Sequence, residues 1–296
     1  MEKKYNSNSL RSILFKLIIR LSKFKNNTKT IASAIKYIEK CKNKKYNPNI
    51  FKNMQKNQYH DCVYYSNNET QNENILLYIH GGSFVDNIMK IQLDFVKKVA
   101  SRINAELVVP LYKTMPNGNC DNFLIEMSEL CKSLKEKNKR IFLIGDSAGG
   151  GGVLSLNMFL LEQESNIIDG VILLSPWLDV SLENIEIKDK AKKDIVCSVD
   201  GNKFLGKKWA GNINVKDYRV SPLYGNVDGL KRVFISCGGY EICQPDCIKL
   251  AKILKDKNIK YKFIEFKKQI HNFELYPTKE SKIIVDEISN FIMEEN

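Results

Sequence analysis

The sequence predicts an α/β fold in which helices cover both faces of a mostly parallel β-sheet. From residue 75 onward, short apolar runs suited to buried strands alternate with segments of helical spacing. The chain has 296 residues, of which 43% are hydrophobic and 27% charged, and these values fit one large α/β domain of globular composition. No run of 18 apolar residues occurs, so no transmembrane helix is predicted.

Six apolar runs are the predicted buried strands, and a further strand is predicted near 61–65. The six runs are 75–79, 106–111, 140–144, 170–174, 232–236 and 261–266. Helical patterns lie between most of these runs and after the last one, including 123–134, 248–254 and 284–291. Residues 182–220 interrupt the alternation with mostly polar positions and no strand, and an insertion of that length is typically a lid.

Residues 1–60 form the basic part of the chain and are predicted to be helical. They hold 15 Lys and Arg residues against Glu2 and Glu39, whereas the remainder holds 31 basic and 32 acidic residues. Apolar residues recur at helical spacing over 10–21 and 31–38. Such a helix either packs over the mouth of a pocket, which we favour, or lies on an anionic membrane surface. Because the remainder is near neutral, no nucleic-acid partner is expected.

The eight cysteines do not form a metal-binding pattern. Cys243 and Cys247 are four residues apart, but no second Cys/His pair with zinc spacing accompanies them, so no metal is expected. No signal peptide is recognised, and free thiols in a reducing cytoplasm are the favoured interpretation. The cysteines are Cys41, Cys62, Cys120, Cys131, Cys197, Cys237, Cys243 and Cys247.

The segment 145–149 reads G-D-S-A-G and fits the pattern G-x-S-x-G between an apolar strand and a helical run. A nucleophile elbow requires this context, because the sharp strand-to-helix turn holds the serine, Ser147, exposed above the sheet. The backbone N–H of Ala148 at the helix N-terminus is then directed at a developing oxyanion. A plain glycine-rich turn is the alternative, and Asp146 is interpreted as structural support for the elbow.

The segment 80–84 reads H-G-G-S-F and directly follows the first strong strand. H-G-G loops at this place supply further oxyanion donors, predicted here to be the N–H groups of Gly81 and Gly82. Two adjacent glycines let the main chain approach a substrate carbonyl without interference from side chains. A tight turn is the alternative, but two glycine-rich loops in the correct order favour the oxyanion role.

A serine nucleophile needs a base, and the chain has three histidines. His60 precedes the sheet and His80 belongs to the oxyanion loop, which leaves His271, just beyond the last predicted strand. The acid must lie between the serine and the histidine in the chain, where Glu241 and Asp246 are the candidates. We favour Glu241, because it lies in the loop after a strand, whereas Asp246 follows a proline and is expected to begin the next helix.

These motifs resemble those of the hormone-sensitive-lipase-like branch of α/β-hydrolases, the bacterial carboxylesterase and acetyl-esterase group. The matching segments are H-G-G-S-F at 80–84, P-L-Y-K-T-M-P at 110–116, G-D-S-A-G-G at 145–150, S-P-W-L-D at 175–179, S-P-L-Y at 221–224 and H-N-F at 271–273. The chain departs from the family at Ser83, where a third glycine is usual, and at Glu241, where the family acid is often Asp.

The resemblance implies an α/β-hydrolase fold with an eight-stranded, mostly parallel sheet and a helical cap. Residues 1–50 would be a basic N-terminal helical cap segment. Residues 51–296 would be the catalytic domain, in which 182–220 is the cap insertion.

Motifs and resemblance together predict a serine hydrolase that cleaves small carboxylic esters through an acyl-enzyme on Ser147, with His271 as base and Glu241 as acid. An amidase or peptidase using the same residues is one alternative, and a catalytically inactive ligand-binding homologue is another. No metal or organic cofactor is implied. The expected partner is a small-molecule ester, while membrane-surface contact by the N-terminal helix and homodimer formation are left open.

Overall fold

The computed structural model describes residues 1–67 and 73–294 of the chain. Within these residues nine strands form one sheet. The strands are β1 (Glu2–Tyr5), β2 (Gln55–Tyr59), β3 (Cys62–Ser66), β4 (Asn74–Ile79), β5 (Ala105–Pro110), β6 (Arg140–Asp146), β7 (Ile168–Leu174), β8 (Arg232–Gly238) and β9 (Lys260–Phe266). Their order in the sheet is β1-β9-β8-β7-β6-β4-β5-β3-β2.

Neighbouring strands are parallel except at one end of the sheet, where β3 pairs antiparallel with both β2 and β5. The predicted mostly parallel sheet is therefore confirmed, but in the described chain it has nine strands rather than eight. The prediction that residues 1–60 are helical is wrong for β1 and β2, the two edge strands. Both have polar sequences, because an edge strand pairs on one side only and needs no continuous apolar run.

Helices surround the sheet. In the described residues the α-helices are α1 (Leu10–Ser22), α2 (Ile31–Cys41), α3 (Lys90–Arg102), α4 (Cys120–Lys135), α5 (Ala148–Glu162), α6 (Ile187–Ala191), α7 (Val199–Ala210), α8 (Gln244–Asp256) and α9 (Lys279–Met293). Short 3-10 helices lie at Phe24–Thr28, Pro48–Phe51, Pro222–Tyr224 and Phe273–Leu275. None of the described helices combines the length and the apolar character that crossing a bilayer requires.

The central strands are buried on both faces, which explains their largely apolar sequences. In β4, Ile75 and Leu77 belong to one hydrophobic cluster, and Leu76 and Tyr78 belong to the other. Residues of α4, α5 and α8 complete the first cluster, and residues of α3 and α9 complete the second. The sheet thus has a helical layer on each face, as the alternation of strand and helix predicts.

The carboxyl ends of the parallel strands meet at one edge of the sheet, and this edge carries the candidate functional residues. The loop after β4 holds the H-G-G segment, the turn after β6 holds Ser147, and the loops after β8 and β9 hold Glu241 and His271. Beside this edge lie α2, from the N-terminal segment, and α7, from the insertion, packed against each other.

Candidate active site

Ser147 occupies a strained turn between β6 and α5. Its φ is +52° and its ψ is −120°, a combination that residues other than glycine rarely adopt. Close packing maintains the turn, because a Cβ on Gly149 would lie 2.1 Å from the backbone oxygen of Ile79. Only glycine therefore fits at position 149, and the turn directs the Ser147 side chain toward the edge of the sheet.

Ser147, His271 and Glu241 form a continuous hydrogen-bonded chain. The distance between Ser147 Oγ and His271 Nε2 is 2.8 Å, and the distance between His271 Nδ1 and Glu241 Oε2 is 2.5 Å. Ser147 is 8% exposed, His271 is 2% exposed and Glu241 is fully buried. A hydroxyl, an imidazole and a carboxylate in this order can transfer a proton from the hydroxyl to the ring and stabilise the resulting charge.

Further hydrogen bonds hold the Glu241 carboxylate in place. Its Oε1 accepts the backbone N–H of Gly238 at 2.5 Å and the hydroxyl of Ser175 at 3.1 Å. The Ser175 oxygen accepts the backbone N–H of Asn272, the residue after His271, at 3.1 Å. Ser175 thus links Glu241 to the loop of His271 through hydrogen bonds that do not involve the imidazole.

Asp246, the reserve candidate for the acid, lies elsewhere. It is in the first turn of α8, where its Oδ1 accepts the side-chain amide of Asn184 at 2.8 Å. Burial raises the pKa of Asp246 to about 6. The structure brings Glu241, and not Asp246, into contact with His271.

The surroundings of His271 change its basicity in opposite directions. Burial by itself lowers the pKa of the imidazole, whereas the Glu241 carboxylate and hydrogen bonding to Cys197 and Cys243 raise it, and the net direction is upward. Burial also raises the pKa of both thiols, so they are neutral at physiological pH. A raised histidine pKa fits a ring that has to accept a proton from a hydroxyl.

In the H-G-G loop, the N–H of Gly81 is not available as the oxyanion donor that the sequence predicts. The N–H of Gly81 donates to Asp146 Oδ1 at 2.9 Å, so it is not free to hold a substrate oxygen. In the described part of the chain, the N–H groups of Gly82, Ser83 and Ala148 donate to no protein acceptor. Gly82 and Ser83 also line the cavity with Ser147. Gly82 has a φ of +122°, a backbone conformation that a side chain would strain.

Asp146 connects four parts of the site through one buried carboxylate. Besides Gly81, its oxygens accept the hydroxyl of Tyr78 at 2.5 Å and the side-chain amides of Gln92 at 3.1 Å and Asn272 at 2.9 Å. These partners belong to β4, α3 and the loop of His271. The interpretation of Asp146 as support for the elbow agrees with this geometry.

The two other histidines have no contact with Ser147. His80 is buried, its ring stacks on Tyr112, and its Nδ1 is 2.8 Å from the carbonyl oxygen of Gly81. Burial lowers the pKa of His80, so its ring is neutral. His60 is exposed and lies in the turn between β2 and β3.

A mostly apolar cavity of about 210 Å³ opens onto Ser147 and His271. The N-terminal segment contributes the largest group of other lining residues, the insertion contributes a second, and the segment before and within α3 contributes a third. These groups are Ile19, Ser22, Phe24, Asn27, Thr28 and Tyr37; Val196, Cys197 and Asn202; and Met89, Ile91 and Gln92. The two segments predicted to form a cap therefore both line the cavity that contains Ser147 and His271.

Sequence reasoning missed several buried groups of the site. Asp194 accepts the backbone N–H groups of Val196 and Cys197 with one oxygen and that of Ile242 with the other, which joins the insertion to the loop of Glu241. The bond to Ile242 joins residues 48 positions apart, and no local motif marks Asp194. The thiols beside His271 were also missed, because the spacing of the cysteines gives no signal.

Glu274 is a further buried group that sequence reasoning missed. Burial, and then the negative charge of Glu241, raise the pKa of Glu274 to about 8. The carboxyl is therefore protonated at neutral pH. The H-N-F match at 271–273 ends one residue before it, so the motif did not mark it either.

Glu241, Cys243 and His271 are the residues best placed to hold a metal ion, since each offers one ligand atom and these atoms lie within 4.8 Å of one another. Both nitrogens of His271 are already hydrogen-bonded, however, one to Glu241 and one to Ser147. A metal ion would have to displace one of these bonds. The donor set fits a proton-transfer chain better than a resident metal site.

The fold and the geometry of this edge are those of an α/β hydrolase, a class in which a sharp turn after a central strand carries the nucleophile. The model of a family described as alpha/beta hydrolase fold matches residues 76–275. The match covers more than half of the chain, which therefore belongs to this family.

Two relatives have similar sequences. An esterase of Acinetobacter venetianus is 25% identical over 223 residues, which are 73% of this chain and 74% of the esterase. A triacylglycerol lipase of Mycobacterium tuberculosis is 26% identical over 200 residues, which are 67% of this chain but only 41% of the lipase.

Solved structures extend the likeness to the whole fold. EstE5 superposes with a TM-score of 0.82 at 21% identity, covering 96% of this chain and 98% of EstE5. An esterase from the bacterial hormone-sensitive lipase family superposes with a TM-score of 0.80 at 19% identity, covering 97% of this chain and 98% of that one. The α/β-hydrolase fold that the resemblance implies is thereby confirmed.

Proposed function

We propose that this protein is a carboxylic ester hydrolase that cleaves small esters through an acyl-enzyme on Ser147. One observation carries the proposal: the hydrogen-bonded chain of Ser147, His271 and Glu241 opens into an apolar cavity. The names of the relatives, esterase and triacylglycerol lipase, support the same class of reaction. The substrate is a small-molecule ester.

In the first half of the reaction, Ser147 Oγ attacks the acyl carbon while His271 Nε2 accepts the hydroxyl proton. The carbonyl oxygen becomes an oxyanion, which the free N–H groups of Gly82, Ser83 and Ala148 are available to bind. Glu241 stabilises the imidazolium that has formed. When the oxyanion collapses, the ester C–O bond breaks, and the leaving alcohol takes the proton from His271.

In the second half, water hydrolyses the acyl-enzyme. His271 accepts a proton from the water as its oxygen bonds to the acyl carbon, and the same N–H groups bind the second oxyanion. Collapse of this intermediate breaks the bond to Ser147 Oγ, which receives the proton back from His271. The products are a carboxylic acid and the free enzyme.

The size of the cavity supports small substrates. Pockets for drug-sized ligands typically have volumes of about 300–1,000 Å³, and this cavity has about 210 Å³. Residues 1–50 and 182–220 together supply many of its walls, which supports their assignment as the cap of a catalytic domain formed by 51–296. The near-neutral charge outside residues 1–60 supports a protein without a nucleic-acid partner.

The cysteines support a reducing compartment. All eight are free thiols, and seven of them are buried. Because exported proteins commonly pair such residues as disulfides, we assign the protein to the cytoplasm.

A panel of p-nitrophenyl esters of increasing acyl length, each compared with its p-nitroanilide, tests the proposal on the wild type and on Ser147→Ala. We expect turnover of short esters that falls as the acyl chain outgrows the cavity, little turnover of anilides, and loss of both in Ser147→Ala. His60→Ala is the matched control, since His60 is exposed and outside the site. Faster cleavage of anilides would make the protein an amidase, and no turnover at all would make it an inactive homologue.

A further inference from the structure

The outer side of α1 is apolar and points away from the protein. Leu10, Ile13, Leu14, Leu17 and Leu21 follow one another at helical spacing, and we call this set the leucine face. Their exposed fractions are 85%, 47%, 54%, 51% and 71%, in that order. A surface helix of a globular protein normally buries its apolar stripe, so the orientation of α1 is reversed.

The opposite side of α1 attaches the helix to the protein. The hydroxyl of Ser12 donates to the side-chain oxygen of Gln269 at 2.6 Å. Lys16 Nζ donates to the backbone carbonyl of the residue before Gln269, Lys268, at 2.9 Å. The Phe15 ring stacks on Tyr276 with a centroid distance of 5.3 Å. Because these contacts fix the inner side, α1 cannot turn the leucine face inward without breaking them.

Basic side chains border the leucine face. At 3.6 residues per turn, Arg11 and Arg20 fall on opposite flanks of it, and both are exposed. Lys23 follows directly after the helix, and no acidic residue occurs from position 3 to position 38. Exposed leucines between arginines match an anionic lipid surface, because the apolar side chains enter the acyl region while the guanidinium groups remain among the headgroups.

The leucine face also lies close to the mouth of the cavity. Ile19 and Ser22 of α1 line the cavity, and so does Phe24, which is 38% exposed. We propose that the leucine face docks this protein on an anionic lipid surface, with the mouth of the cavity beside the lipid. Docking does not depend on the reaction. Only the delivery of an ester from that surface into the cavity rests on the proposed function.

Flotation of the full chain with phosphatidylcholine vesicles, with and without phosphatidylglycerol, tests this proposal. The test variant is Leu14→Gln/Leu17→Gln/Leu21→Gln, in which no changed residue lines the cavity. We expect it to bind anionic vesicles at least about tenfold more weakly than the wild type, with unchanged turnover of a water-soluble ester. The matched control is Ile125→Gln/Ile185→Gln, which removes two exposed isoleucines outside α1 and should bind like the wild type.

Charge and catalysis are tested separately. Arg11→Gln/Arg20→Gln should weaken binding to anionic vesicles and leave any binding to neutral vesicles unchanged. Ser147→Ala should bind vesicles like the wild type, so a failure of the proposed function would leave the docking result intact.

Three outcomes would overturn the proposal. The first is a wild type that does not bind anionic vesicles, and the second is equal binding by the leucine-face variant. The third is a dimer, detected by light scattering, that this variant dissociates while vesicle binding is absent. That result would assign the leucine face to a second copy of the chain.

Discussion

The backbone N–H of Gly81 donates to the carboxylate of Asp146 across 2.9 Å, which joins the loop after β4 to the residue before Ser147. The same carboxylate binds the side-chain amide of Asn272, the residue after His271. One buried group thus sets the positions of the H-G-G loop, Ser147 and His271 relative to one another. Errors of about 1 Å in such positions can cost a hundredfold in rate, so Asp146 is expected to be important without touching the substrate.

Replacing Asp146 with asparagine should therefore lower both activity and stability. One oxygen would become an NH₂ group facing donors that are now satisfied, at about 1–3 kcal/mol for each buried donor left unpaired. We expect kcat to fall by about ten- to a hundredfold, together with a clear decrease in Tm. Asp94→Asn is the control, because that side chain is 45% exposed and its one ion pair among the described residues is with Lys90. Unchanged kcat and Tm would show that Asp146 has no positioning role.

Ser147 and His271 should act as one unit. Ser147→Ala and His271→Ala should each lower kcat by about 10⁴-fold or more, and the double variant should be little worse than either, because neither residue works without the other. Steady-state kinetics on a short p-nitrophenyl ester provides the measurement, and a fluorophosphonate should label Ser147 in the wild type alone. A single variant that keeps a tenth of wild-type kcat would rule out the assigned roles.

The acid can be assigned by two isosteric replacements. Glu241→Gln keeps the shape of the side chain but places an amide beside His271 Nδ1, where it cannot stabilise an imidazolium, so kcat should fall by about 10⁴-fold. Asp246→Asn should retain nearly full activity, because Asp246 contacts Asn184 and not the imidazole. Circular dichroism checks that both variants fold. If the loss follows Asp246→Asn instead, Asp246 is the acid.

Replacing Glu241 with glutamine should also change the pH dependence of kcat/KM. His271 accepts a proton only in its neutral form, so kcat/KM rises as pH passes upward through the pKa of the imidazole. The environment raises that pKa, which places the rise at a higher pH than for an ordinary histidine, about 6.5. The residual activity of Glu241→Gln should rise at a lower pH than the wild type, because a raising charge has been removed. An unshifted profile would contradict this coupling.

The parallel centre of the sheet could be predicted from the sequence, whereas its two edges could not. Strands such as β4 are buried on both faces, so every position after Asn74 is apolar and the run is visible without any knowledge of its partners. Strands β1 and β2 have the sequences EKKY and QKNQY, which are polar because one side of each has no neighbouring strand. Only tertiary pairing identifies such segments as strands.

The contact among Ser147, His271 and Glu241 could be predicted, because each residue occurs in a short motif or in a loop directly after a recognisable strand. The bond between Gly81 and Asp146 could not be predicted, because it joins residues 65 positions apart. It also removes Gly81 from the predicted oxyanion donors. The orientation of α1 could not be predicted either, because an amphipathic pattern normally indicates that the apolar face packs on the protein, and in α1 that face is exposed.

Glu274 gives the protein a pH-dependent stability that is independent of catalysis. Its carboxyl group is fully buried, and its Oε1 accepts the hydroxyl of Ser236 at 2.6 Å. Burial, and then the charge of Glu241, raise its pKa to about 8, well above the ordinary value of 4.5. Folding therefore favours the protonated form. Its contribution to stability is complete below about pH 4.5 and is lost progressively as the pH rises towards 8.

The neutral variant Glu274→Gln should not show this loss, because glutamine does not titrate. Relative to the wild type, its free energy of unfolding should increase by about 5 kcal/mol between pH 4.5 and pH 8 and stay level above that range. Urea unfolding of both proteins at a series of pH values measures the difference between their free energies of unfolding. All other titrating groups are common to the two proteins, so their contributions cancel in this difference. Glu129→Gln, at an exposed side chain paired with Lys132, should show a nearly flat difference. A flat difference for Glu274→Gln as well would mean that Glu274 ionises in the folded protein as it does in water.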